Sequence, residues 1–146
     1  MPDITDLLKN LEALDLERLA SQTLKEHEHV IADLNATQLS QGLKSDGTKL
    51  TPGYAATTIQ RKKRKGQVTD RVTLDDTHQH YQGLYAKVDG QDIEYGSKVE
   101  YGQYLENRYN KGNAQIYGLN EDSREDLVNG FVEGAFLSKL HEQTGL

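Results

Sequence analysis

The sequence contains no cysteine and no tryptophan, and only one methionine, two prolines and two phenylalanines among 146 residues. Without cysteine there is no disulfide, no thiolate zinc site and no cysteine nucleophile. No stretch approaches the roughly 18 apolar residues of a membrane-spanning helix, and no basic-then-apolar leader opens the chain, so membrane contact is not expected. Leucine, isoleucine, valine and phenylalanine together supply 33 residues, or 23%. That lies just above the roughly 20% below which disorder becomes the default. The expectation is one folded domain, 1–146, around a thin core, and thin cores are often completed by a partner or by copies of the same chain. A net charge of −6 argues against the whole molecule coating nucleic acid.

The charge is partitioned along the chain. Residues 1–34 carry −5, residues 35–88 carry +5 and residues 89–146 carry −6. A basic middle between acidic ends lets one copy's middle meet another copy's ends, because opposite patches steer association. Residues 1–34 read as a long N-terminal helix. Ile4, Leu7, Leu8, Leu11, Leu14, Leu19, Ala20, Leu24, Ile31 and Leu34 recur at three- and four-residue steps. Asp3 is the expected N-cap, with Asp6 in the first turn. No proline or glycine interrupts residues 3–34, and an unbroken helix there would be about 46 Å long. It either bends near Asp15 or projects and packs against a neighbour; projection is the preferred expectation.

The α+β core is expected over 35–119. Asn35 to Gly53 reads as a loop with a tight turn at Asp46-Gly47, and Tyr54 to Lys65 as a short helix stopped by Gly66. Val68, Val72 and Leu74 suggest an extended piece. Tyr81–Val88, a turn at Asp89-Gly90 and Ile93–Tyr95 predict a β-hairpin in a small antiparallel sheet. A helix over Val99–Tyr109, a loop at Asn110-Lys111-Gly112-Asn113 and a short strand Ile116–Leu119 follow. Residues 120–146 predict a C-terminal amphipathic helix capped by Asn120 or Ser123, with Leu127, Val128, Phe131, Val132, Ala135, Phe136 and Leu140 on one broad face. Gly130 and Gly134 share a face there. Either they admit another backbone, or they are tolerated weak positions costing roughly 1 kcal/mol each against alanine. The class is α+β, with helices at both ends and a small sheet between them.

The most conspicuous chemical feature is Arg61-Lys62-Lys63-Arg64-Lys65. Such a run grips a phosphate backbone, docks on an acidic protein surface, or is a solvated helix end whose cations suit the dipole. No aromatic interleaves it, which weakens stacking on single strands. His78 and His80 follow Asp75 and Asp76. On a strand the two imidazoles would share a face and a metal, but no third or fourth ligand suggests itself and a surface turn is the stronger reading. Glu26-His27-Glu28-His29 reads as a solvated helix face, with the imidazoles about 200° apart. Seven of the eight tyrosines fall between Tyr81 and Tyr117, a profile suited to an interface or to the rim of a thin core. The Gly-x-x-x-x-Gly-Lys-Ser/Thr, Gly-x-Ser-x-Gly, His-Glu-x-x-His and Gly-x-Gly-x-x-Gly motifs are missing, so no enzymatic activity, cofactor or metal is expected.

The order of short motifs from Leu39 to Asp126 carries more than any one of them. Gln38-Leu39-x-x-Gly42, Asp46-Gly47 and Tyr54 with the basic helix behind it precede Val72-Thr73-Leu74-x-x-Thr77 and Tyr81-x-Gly83. Then come Ile93-x-Tyr95-Gly96-Ser97, Tyr101-x-x-Tyr104-Leu105-Glu106-x-x-Tyr109 and Ile116-Tyr117-Gly118-Leu119. This order resembles small tailed-phage virion proteins of the virion-morphogenesis and tail-completion type, over about 60% of the chain. Two departures touch strand register. His78 stands where that pattern has glycine, and Tyr95 separates Ile93-Glu94 from Gly96-Ser97.

The resemblance implies a head–tail connector or tail-completion component of the virion, assembled in the host cytoplasm. It implies a homo-oligomeric ring beside other neck or tail proteins, around the DNA in the exit channel, and no catalysis. A ring of identical subunits needs head-to-tail contacts. The expected contact residues are Leu11, Leu14, Tyr104, Phe131 and Phe136, with Arg61, Lys62, Lys63, Arg64 and Lys65 meeting acidic partners or DNA. The rival readings are a nucleic-acid-binding protein using residues 61–65 and an enzyme that these motifs do not reveal.

Overall fold

A computed structural model describes residues 3–110 and 114–145. Three helices fill the N-terminal part: α1 (Ile4–Glu12), α2 (Leu16–Glu26) and α3 (Glu28–Ser40). The single rod expected over 1–34 is therefore broken, at Asp15 and again at His27. Asp3 caps α1 as its spacing predicts, accepting from the Asp6 amide at 2.9 Å. Asp15 does the same for α2. Its backbone turns extended and Oδ1 accepts from the Arg18 amide at 3.0 Å. A short carboxylate that competes for backbone N–H groups ends one helix and starts the next without any glycine or proline. At the second break the His27 ring donates through Nδ1 to the Thr23 carbonyl at 2.7 Å.

Farther along lie α4 (Ala56–Arg64), the single turn α5 (Gln79–Gln82), β1 (Leu84–Asp89), β2 (Asp92–Ser97) and α6 (Gly102–Tyr109). The chain ends in α7 (Glu121–Leu127), a π-helical turn (Val128–Val132) and α8 (Glu133–Thr144), continuous over 121–144. Fold class and C-terminal helix agree with expectation. Asn120 is the cap, its Oδ1 accepting from the Ser123 amide at 2.9 Å. Of the loop expected over Asn110–Asn113, all but Asn110 lies outside the described residues.

The hairpin pairs antiparallel, Leu84 with Ser97 through Asp89 with Asp92. Its two-residue turn is thus Gly90-Gln91, one place beyond the expected Asp89-Gly90, with Gly90 at φ +61°. Such turns favour glycine at positive φ. The strand begins at Leu84, and Tyr81 belongs to α5 instead. Ala86 and Val88 point inward and Lys87 and Asp89 outward, the period-two alternation of a half-buried strand. Tyr85 lies across Gly96 so closely that a Cβ there would meet its hydroxyl at 2.6 Å.

Two expected extended pieces do not form strands. Val68 to Leu74 is irregular. Residues 116–119 are buried, but helix side chains rather than a neighbouring strand satisfy their backbone. Asn35 Nδ2 donates to the Ile116 and Gly118 carbonyls, both at 3.2 Å, while its Oδ1 accepts from the Gly118 amide at 3.2 Å. Gln38 Nε2 reaches the Gly118 carbonyl at 2.9 Å and Oε1 accepts from the Asn120 amide at 2.8 Å. These amides explain why α3 runs on to Ser40, where the sequence predicts a loop from Asn35. Buried backbone groups must be paired, and here the amide side chains of Asn35, Gln38 and Asn110, the last accepting from the Ile116 amide at 2.8 Å, take the place of a ladder.

The core has two adjoining parts. Leu39, Leu50, Val72, Tyr109, Ile116 and Tyr117 form one. Ile31, Ala86, Val88, Leu119 and Leu127 form the other, and Tyr95 packs against both. The side chains below 2% exposure include Leu19, Ile31, Leu39 and Ile116, but also Thr23, Asn35, Gln38, His80 and Thr144. The interior is thin in apolar volume, as the composition predicts. Among the described residues, no helix is long and apolar enough to cross a membrane.

Candidate functional site

The basic helix α4 is held from below. Lys62 is 5% exposed; its ammonium sits over the Tyr54 ring at 4.8 Å and donates to the Asp75 carbonyl at 3.0 Å. Lys65 pairs with Asp76 at 2.8 Å, a contact that holds the Asp76 carboxyl below its ordinary range. The Tyr54 hydroxyl accepts from the Thr73 amide at 2.9 Å, and the Tyr81 hydroxyl donates to the Thr73 carbonyl. The run 61–65 is therefore not one basic face. Lys62 is consumed by the fold, Lys65 is ion-paired, Lys63 and Arg64 face solvent, and Arg61 lines a cleft.

Segment 72–80 is the floor of that arrangement. Leu74 and His78 adopt φ +56° and +70°, conformations uncommon for side chains with a Cβ. His80 is 1% exposed. Its ring faces the Leu74 carbonyl through Nδ1 at 3.2 Å and the Tyr117 hydroxyl through Nε2 at 2.9 Å. A carbonyl only accepts, so Nδ1 carries the proton and Nε2 accepts from Tyr117. Burial holds the His80 pKa below its ordinary value and pushes the Tyr117 hydroxyl up. His78, by contrast, is exposed beside Asp75 at 3.2 Å. The two imidazoles do not converge. Among the described residues, no group of three or more histidine or carboxylate side chains is placed to hold a metal ion.

Above this floor opens a cleft of about 540 Å³, lined by Tyr54, Arg61 and Lys62 from one side and by Tyr101, Tyr104, Leu105 and Arg108 from α6. Leu74, Asp75, Asp76 and Thr77 lie between them. Tyr104 is 63% exposed and Tyr101 42%, so both rings stand at the rim. Arg108 is stacked on the Tyr109 ring, 5.6 Å from its centroid. Among the described residues, Arg61, Lys62 and Arg108 have no carboxylate within ion-pair distance. The tyrosines thus divide between the two expected roles. Tyr109 and Tyr117 are core, Tyr81, Tyr85 and Tyr95 are half-buried, and Tyr101 and Tyr104 are surface. The sequence could not show that aromatics about forty positions away from the basic run face it across a cleft.

The other expected contact residues lie elsewhere. Leu11 and Phe131 are 46% and 45% exposed, and Leu14 and Phe136 are half-buried. Helix α1 packs along α8, where Asn10 Nδ2 donates to the Thr144 carbonyl at 3.3 Å. No residue of α1 is buried, and Ile4, Leu8 and Leu11 form an exposed stripe at four- and three-residue spacing. The π turn shapes a second apolar surface. Its extra residue brings Leu127 and Val132, five apart, onto the core, and leaves Val128 and Phe131 exposed. The broad apolar face expected on this helix is thereby split. Among the described residues, and apart from the adjoining residues and the helix's own backbone, no atom lies within 4 Å of where a Cβ on Gly130 or Gly134 would be.

One charged motif proves structural. Glu28 Oε2 accepts from the Val88 amide at 2.6 Å and Glu26 meets Lys139 at 2.7 Å. Glu26 and His29 are exposed, in line with the solvated face expected, but His27 and Glu28 are half-buried and the acids of the motif tie α3 to β1 and α2 to α8. No family model, curated protein or solved structure matches the chain.

Proposed function

We propose that the protein is a structural component of a phage neck or tail, a tail-completion or head–tail connector subunit that works as a homo-oligomeric ring. The observation that carries this reading is α1. A nine-residue helix is too short to be stable alone in water, yet this one buries none of its residues and exposes Ile4, Leu8 and Leu11 along one stripe. Val128, Phe131 and Leu137 are exposed on the C-terminal helix as well, and apolar side chains left exposed in groups mark surfaces of association.

The occupant favoured by charge is a second copy. Arg61, Lys63 and Arg64 on α4 and Glu121, Asp122, Glu125 and Asp126 on α7 are exposed, and among the described residues none has an ion-pair partner. A basic patch on one subunit and an acidic patch on the next make a head-to-tail contact, which closes into a ring or propagates as a fibre. The motif order from Leu39 to Asp126 supports the ring and its place in a virion. No catalytic step is assigned, and the partners are further copies, neighbouring neck or tail proteins and the DNA they surround.

Native mass spectrometry and negative-stain microscopy at tens of micromolar protein, alone and beside neighbouring virion proteins, test this directly. Closed rings are expected, lost in a Leu8→Glu/Leu11→Glu variant whose circular dichroism is unchanged. A protein that stays monomeric under both conditions, or a variant that assembles as well as the parent, overturns it.

A further inference from the structure

We infer that the cleft between α4 and α6 is a binding site for a nucleoside phosphate. Three observations converge there. Arg61, Lys62 and Arg108 bring positive charge from two helices to one cavity that also holds Asp75 and Asp76, and among the described residues none of the three cations is ion-paired. Burying an ammonium without a counter-ion is costly. Lys62, at 5% exposure, directly meets a carbonyl and a ring face, and the Asp76 carboxylate acts on it from beyond ion-pair distance. Of the carboxylates nearby, Asp76 is ion-paired with Lys65, and Asp75 lies within hydrogen-bond distance of His78.

The second observation is the pair of rims. Tyr101 and Tyr104 offer exposed ring faces on the α6 side, and planar bases stack on such rings whatever their sequence. The third is size. About 540 Å³ lies within the range of small-molecule sites; it accommodates a base and sugar but not a duplex. Cations at the floor and aromatics at the rim fit a ligand with an anionic end and a flat apolar end. In this arrangement the phosphate meets Lys62, Arg61 and Arg108, and the base lies against Tyr104 and Tyr101. The ligand is a free nucleotide or one unit of a single strand passing the cleft.

Titration calorimetry of the intact protein at low salt, with adenosine 5′-monophosphate, adenosine and inorganic phosphate as separate probes, tests the inference. A short oligothymidylate and an acidic peptide complete the set. The nucleotide is expected to bind at least about tenfold more tightly than either of its halves, as stacking and charge each contribute. Tyr104→Ala and Arg108→Gln, both at exposed positions, should each weaken it about tenfold with the melting temperature unchanged. Tighter binding of the oligonucleotide than of the mononucleotide identifies a strand as the source, and the reverse a free nucleotide; both support the site. No nucleotide binding at millimolar concentration, equal affinity for phosphate and nucleotide, or preference for the acidic peptide overturns it.

Discussion

Helix α3 and helix α1 show two ways in which a chain poor in apolar residues treats a helix. Helix α3 lies over the hairpin and buries Ile31, Asn35, Gln38 and Leu39, and its polar side chains are as fully used as its apolar ones. Helix α1 is the more amphipathic by sequence and buries nothing. Among the described residues, the sole buried side-chain polar atom without a partner is Gln67 Oε1, far in sequence from both. The contrast separates two sources of stability. In the centre, amide side chains hydrogen-bond an irregular segment in place. At the terminal helices, apolar stripes remain for another surface to cover.

That contrast can be broken most forcefully at its satisfied end. Asn35→Ala leaves the Ile116 carbonyl and the Gly118 amide without the partner that holds them, while the Gly118 carbonyl keeps only Gln38 Nε2, and unpaired buried groups cost about 1–3 kcal/mol each. Denaturant unfolding should show a loss of about 3 kcal/mol or more. Next comes Gly118→Ala. Gly118 sits at φ +132°, and an added Cβ would lie 3.1 Å from that of Ser45, so a loss of about 2 kcal/mol is expected in the same assay.

A smaller effect should follow acidification. Burial holds folded His80 below its ordinary value of 6.5, so as pH falls past that value the unfolded chain binds a proton that the fold refuses. Stability from this residue is complete above about pH 6.5 and declines below it. Melting curves from pH 7.5 down to pH 5 should show that slope, flattened in His80→Gln relative to the parent. The smallest effect on the fold belongs to the unsatisfied end. Leu8→Glu, at a position 54% exposed, should change monomer stability by no more than about 0.5 kcal/mol while abolishing assembly. A large loss of monomer stability would show instead that the α1 stripe already packs within its own chain.

Much of this was legible in the residues. Capping by Asp3 and Asn120, the hairpin and the basic helix ended by Gly66 follow local rules, and local rules are written in adjacent positions. The break at Asp15 was legible too, as an aspartate set within a helical period, but periodicity alone carried the helix past it. What could not be read was long-range. Asn35 and Gln38 look like the start of a loop until Gly118 and Asn120 are seen to need their amides. Ile116–Leu119 has a strand's composition but no strand beside it. Lys62 looks like one cation among five, and its burial depends on Tyr54 and Asp75. The cleft is a meeting of residues 54–62, 74–79 and 101–109, which no spacing announces.

Hydrogen–deuterium exchange followed as a function of protein concentration tests the central claim most directly, because it reports each helix separately. Amides of α3 are expected to be strongly protected at every concentration, while those of α1 pass from fast exchange when dilute to slow exchange as copies cover the stripe. Slow exchange of α1 in dilute, monomeric protein, equal to that of α3, would contradict the account.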